Sequence, residues 1–199
     1  MKLVNPPARH VSLMMAIVGL SLAGAARAQD APPPSAPPGP CVMVVGGGVP
    51  VTPDPQVNAF WLQVNRVVSA DVQTELAKRG YVVDGMVADS PDTKQRLTAV
   101  AKQLNQDRCE KAIQVSVSLK GTAEQPDVIS TFEFDILVFH LNIADVPGQP
   151  MKSVRVAGDY SRSYPYPLSK AVMDTLPMTA VSAQIAGDID AAKVLPPAK

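Results

Sequence analysis

Four sets of side chains in this chain stand at spacings that chemistry can use. Cys41 and Cys109 are its two cysteines, and two thiols in an exported protein most simply form one disulfide. Glu133 and Asp135, two apart, share a face if their segment is extended. Carboxyl groups about 5–10 Å apart are the acid–base pair of glycoside hydrolysis. His140, the one histidine besides His10, offers a general base or a metal ligand. Tyr160, Arg162, Tyr164 and Tyr166 crowd into Tyr160–Pro167, where proline-stiffened tyrosines supply contact area at little entropic cost.

Their sequence contexts narrow these readings. With both cysteines oxidised, zinc would need His140 plus several carboxylates, and no ligand spacing offers them. No Gly-x-Ser-x-Gly elbow nominates a serine nucleophile for His140. Glu133 and Asp135 alternate with Phe132 and Phe134, as the wet face of a half-buried strand does, and Gln114 and Arg155 are expected on that same side. Gly46-Gly47-Gly48 lacks the Gly-Lys-Ser/Thr ending of a phosphate loop and reads as a flexible strand exit. No catalytic residue, metal ligand or cofactor site is therefore assigned. Tyr160, Arg162, Tyr164 and Tyr166 are expected on a loop, where they either form an interaction surface or close the core against the last helix.

The first residues set the compartment. Lys2 and Arg9 precede an uncharged apolar run from Val11 to Ala23, and Ala26-Arg27-Ala28 has the small-x-small pattern that signal peptidase cuts. Residues 1–28 are thus a predicted signal peptide, cleaved after Ala28. The run of about 13 residues is shorter than the ~20 a spanning helix needs, so no transmembrane segment is expected. Cys41 follows Pro38-Gly39-Pro40, which does not resemble a lipobox. The whole chain has 18 Lys+Arg and 18 Asp+Glu, and losing Lys2, Arg9 and Arg27 leaves a weakly acidic product. No basic block marks a nucleic-acid or membrane-surface binder. Periplasmic export would permit the Cys41–Cys109 bond, worth about 4 kcal/mol in the chain-entropy model for so long a loop.

Residues 29–40, with Pro32, Pro33, Pro34, Pro37, Pro38 and Pro40, read as an extended linker. Residues 41–190 read as one α/β domain, and 191–199 as a flexible tail. Cys41–Val45 is apolar on both faces, as in a central strand. Pro55 opens a helix whose stripe is Val57, Phe60, Trp61, Val64, Val68, Val72 and Leu76, all expected in the core. Tyr81–Val83 is a strand. Ser90-Pro91 caps a second helix with Leu97, Val100, Ala101 and Leu104 inward. Ile113, Val115, Val117 and Leu119 then alternate in a strand, and Phe132, Phe134, Ile136 and Val138 in another, doubly covered from Leu137. After a turn at 147–150, Val154, Val156 and Tyr160 share a face of a fifth strand. Leu168–Ile189 is helical, kinked or split at Pro177. The order β-α-β-α-β-β-β-α, with three helices, predicts a mixed five-stranded sheet ordered 2-1-3-4-5, which brings Cys41 beside Cys109.

This element order, with Ala112–Lys120 and Thr131–Leu141 leading through a Pro-Gly turn to Val154–Arg162, resembles a group of envelope domains. The group includes the N-terminal domain of the Tol-system propeller protein, the lipoprotein activators of penicillin-binding proteins, and the curli secretion lipoprotein. The missing lipobox departs from several of them. The resemblance implies an adaptor that binds envelope proteins and does not catalyse. Two other functions are open: a periplasmic binder of a small molecule or cell-wall fragment, which needs an apolar pocket, and a hydrolase using His140 or Glu133/Asp135 beside a cleft.

Overall fold

The computed structural model describes residues 40–48, 51–90, 92–122, 124–125, 128–145 and 152–198. The expected signal peptide, almost all of the linker, and the turn at 147–150 lie outside them. Strand β1 (Cys41–Gly46) is buried along its whole length. It lies parallel to β2 (Val82–Val87) on one side and to β3 (Cys109–Gly121) on the other. Strands β4 (Ile129–Asp145) and β5 (Lys152–Pro167) extend the sheet antiparallel, giving the order β2-β1-β3-β4-β5. That is the order read from the sequence. Cys41 and Cys109 are register partners with Cα atoms 4.4 Å apart, joined by a disulfide.

Helix α1 (Pro55–Lys78) begins where the Asp54 carboxylate accepts from the Gln56 and Val57 amides, and Pro55 spares the amide that would lack a partner. Helix α2 (Thr93–Asp107) is capped by Asp92, two residues beyond the expected Ser90, and ends at Arg108 in the left-handed region. After β5 the segment expected to kink or split at Pro177 is split, which raises the helix count from three to four. Pro177 divides the segment into α3 (Lys170–Thr175) and α4 (Met178–Ala191), because its missing N–H and its ring interrupt the helical ladder.

The sheet carries a core on each face. On the first, Val42, Val44, Ile113, Val115, Phe132, Phe134, Ile136 and Val138 meet Trp61, Val68, Val72 and Leu76 of α1 and Val181, Ile185 and Ile189 of α4. On the second, Met43, Val45, Ala112 and Phe139 meet Val100 and Leu104 of α2. Each fully buried large side chain contributes about 1.5–3 kcal/mol. Helix α2 covers only part of its face. Beyond it, Ser116, Ser118, Glu133, Asp135 and Ser163 form a polar half-sheet.

Several expectations are corrected. Phe60 is 49% exposed and Val57 and Leu97 are also exposed, whereas Trp61 is buried. Helix α1 rests on the sheet by a stripe narrower than its apolar residues span. A bulge between Val138 and Phe139 of β4 and their β5 partners shifts the register at Asp159. Val156 therefore lies opposite Leu141 and Tyr160 opposite Val138, on different faces. The same shift puts Arg155 opposite Asn142, across the sheet from Glu133 and Asp135. Val194 and Leu195, expected in the tail, pack against the first core.

Candidate interaction site

The two ends of β1 are finished in different ways, and the site lies at the second. β3 continues from Val115 to Gly121 after its pairing with β1 has stopped at Val45–Gln114. Buried Asn65 of α1 closes the ladder. Its Nδ2 donates to the Val115 carbonyl at 2.8 Å, and its Oδ1 accepts from the Gly47 amide. One side-chain amide thus stands where a further peptide unit of β1 would have been. Ser69, one turn on, donates to the Asn65 carbonyl at 2.8 Å. Gly47 has φ +94, and an added Cβ would meet the Ala88 carbonyl oxygen at 2.9 Å, so the chain turns there because glycine allows it. Gly46, which accepts from the Ala88 amide, and Gly47 are held at the strand exit by hydrogen bonds.

Beside this exit is a cleft of about 620 Å³, lined among others by Gly48, Trp61, Arg96, Gln114, Ser118 and Asp135. It opens where α1 and α2 depart to opposite faces of the sheet, the usual place for a crevice in an α/β fold. Around the N-terminus of α1 lies an apolar groove of about 640 Å³, formed by Val57, Phe60, Trp61, Leu119, Ile129 and Leu168 with their neighbours. Trp61 borders both. It also rests on Phe132, ring centroids 5.1 Å apart, while Phe60 sits edge-on to it at 5.2 Å and looks outward.

The tyrosine segment belongs to strand β5 and is no loop. Tyr164 is 4% exposed and donates to Asp188 of α4 at 2.9 Å. Arg162 also reaches Asp188 at 2.9 Å and lies over the Tyr164 ring. Tyr166 stacks on Phe132 at 5.5 Å. Burial, with the Asp188 hydrogen bond second, pushes the Tyr164 phenol well above its ordinary range, and burial raises Tyr166 as well. The Tyr160 hydroxyl is buried without a hydrogen bond of acceptable geometry, although it lies near enough to Arg162 and Tyr164 to act on both electrostatically. These rings close the core between β5 and α4.

The other candidates are accounted for. Glu133 pairs with Lys120, while Asp135 accepts from Ser118 at 2.6 Å and from Ser163. Only Asp135 of the two borders the cleft. The His140 Nδ1 lies 2.9 Å from Asp159, which also accepts from Lys111 at 2.7 Å. Partial burial raises Asp159, but the His140 and Lys111 hydrogen bonds outweigh it and hold the carboxyl below its usual range. His140 borders none of the described cavities. No group of three or more His, Cys, Asp or Glu among the described residues could hold a metal ion, and no described helix is long and apolar enough to cross a membrane.

Asn65 and the Phe60 groove were missed by sequence reasoning. The signal for Asn65 was a polar residue one turn after Trp61, inside an apolar stripe; for Phe60 there was none.

No family model and no curated protein matches this chain. Among solved structures it is similar to the PelC dodecamer from Paraburkholderia phytofirmans in two crystal forms. The first, a point variant, is 11% identical, with 79% of this chain and 90% of that chain covered, at a TM-score of 0.38. The second is 10% identical, with 78% and 88% covered, at a TM-score of 0.38. Superposition of this quality establishes neither a shared fold nor a shared function.

Proposed function

We propose that this chain is an exported, non-enzymatic protein-interaction domain that acts as an adaptor in the periplasm of a bacterial envelope. One observation carries the reading: the apolar groove around Phe60, whose large side chains are left in water among the described residues, as at a protein-interaction site. The disulfide and the expected cleavage after Ala28 support export. The groove replaces Tyr160, Arg162, Tyr164 and Tyr166 as the docking site. Affinity capture from envelope extract tests this with wild type against the double variant Phe60→Ser/Ile129→Ser. Specific loss of captured proteins in the variant is the expected result, and identical protein lists refute the groove as the site. N-terminal sequencing of the exported chain should start at Gln29.

The cleft supports a second reading, a binder of a small molecule or cell-wall fragment, since about 620 Å³ with apolar walls and a few polar groups suits such a ligand. A periplasmic metabolite extract that raises the melting temperature of wild type but not of Gln114→Leu would favour it.

A further inference from the structure

The groove and the cleft flank a stretch of β3 that pairs with β4 on one side and, among the described residues, has no strand on its β1 side. The Val115 carbonyl accepts from Asn65, so it points toward the β1 side of β3. Backbone groups of alternate residues in a strand point the same way, so Val117 and Leu119 direct their N–H and C=O groups there too. The turn, loop and capping hydrogen bonds of the described residues include none to Val117 or Leu119. We propose that this edge accepts an extended segment of a partner protein as an added strand, collinear with β1. The proposal rests on the protein-interaction reading above and specifies its geometry.

Three features fix the chemistry of the occupant. Main-chain groups exposed along an edge bind any extended peptide, and side-chain pockets select among them. Here the pockets alternate. Val117 and Leu119 share the face on which Trp61 and Phe60 form the apolar wall, while Ser116, Ser118 and Asp135 share the other. Asp135 accepts from two serines and makes no ion pair among the described residues. A matching segment therefore alternates apolar and polar residues and carries Lys or Arg at a polar position. The outer edge of β5, by contrast, is blunted by Pro165, Pro167 and the bulge at Asp159, the usual protections against strand addition. On β3 the comparable features, a lysine and a register shift, come only at Lys120–Gly121, beyond Val117–Leu119.

The test uses the chain from Gln29 and a display library of decapeptides that alternate apolar and polar residues, with Lys or Arg among the latter. Gly48→Phe places a ring at the cleft mouth, where an added Cβ meets nothing within 4 Å, and an unchanged urea midpoint checks that the fold is kept. Val117→Pro removes the edge N–H, a change tolerated where that N–H faces away from the ladder, and Val117→Ala controls for the side chain that it also removes. The expected result is a selected peptide whose affinity falls about tenfold with Gly48→Phe or Val117→Pro. N-methylation of the peptide on the edge facing β3 has the same effect, and methylation on the opposite edge leaves binding within about twofold. Asp135→Asn weakens only peptides with the basic residue. Failure to select any peptide over a non-alternating library overturns the proposal, as does binding indifferent to Gly48→Phe and to methylation. A dimer of this chain that Gly48→Phe dissociates would assign the edge to a second copy and overturn the partner assignment. If the Phe60→Ser/Ile129→Ser variant still loses captured proteins while the peptide arms fail, strand addition falls and the interaction reading stands.

Discussion

At its N-terminal end β1 is tied to β3 by a covalent bond between Cys41 and Cys109, with α2 packed over it. At its C-terminal end the tie is one buried side-chain amide, Asn65, and beyond it the sheet is open to a cleft and a groove. Both devices hold the same pair of strands. The disulfide acts chiefly on the unfolded chain by closing a long loop. Asn65 acts on the folded state, by satisfying backbone groups that would otherwise be buried without partners. The first closes an end. The second stops the ladder while leaving the next stretch of β3 free for a visitor.

The largest effect should come from the closed end. Cys41→Ser with Cys109→Ser is expected to lose about 2–5 kcal/mol, measured as a lower urea midpoint. Because this cost falls on the whole chain, hydrogen exchange should rise everywhere.

Asn65→Ala should cost less, about 2–3 kcal/mol, since it strands the Gly47 N–H and the Val115 carbonyl. Its exchange signature should be local, with lost protection at Gly47 and in β3 near Val115. Uniform loss would mean that the two ends are not independent.

Stability should also fall at both extremes of pH. The Tyr81 phenol is pushed up to about 12 by burial first and by its hydrogen bond to Asp190 second, and Tyr164 is raised as well. Above the ordinary tyrosine range, near pH 10, the unfolded chain releases protons that the folded chain retains, so stability declines as pH rises. Asp159 is lowered, and so is Asp190, chiefly by the Tyr81 hydrogen bond. Their contribution is present above the ordinary carboxylate range and is lost as pH falls through their folded values. Urea midpoints across pH check both limbs. Tyr81→Phe should flatten the alkaline one and leave the disulfide end untouched.

The smallest effect on stability belongs to Phe60→Ser at the open end, about 1 kcal/mol because half of the ring is in water already. A large loss of stability there would make Phe60 a core residue and remove the reason for calling the groove a docking site.

Much of this architecture was legible before any coordinates. Cys41–Val45 is apolar without alternation, which demands cover on both faces and hence an interior strand. Ile113–Leu119 and Phe132–Val138 alternate, which fixes their inward sides. The central position of β1 and the order of connections then leave few arrangements that set Cys41 beside Cys109. Periodicity and turn chemistry are local properties, so the chain displays them directly.

The site was hidden for the same reason. Phe60 and Trp61 are neighbours on one apolar stripe, and only the rotation of α1 against the sheet buries Trp61 and leaves Phe60 in water. The tyrosines were open to two readings, an interaction loop or core closure, and the pairing of β4 with β5 carries the strand through Pro167 and sets Tyr164 against Asp188. The bulge at Asp159 exchanges the faces of β5, and its one signal in the residues from Val154 to Tyr160 is Gly158, since a glycine inside a strand pattern often marks a bulge. Composition and spacing determined which segments become strands and helices and which cysteines bond, because those depend on residues close in sequence or on a single pairing. Which apolar side chains remain uncovered, and where a strand outruns its neighbour, depend on the lengths and tilts of elements packed from distant parts of the chain; only the tertiary structure decided them.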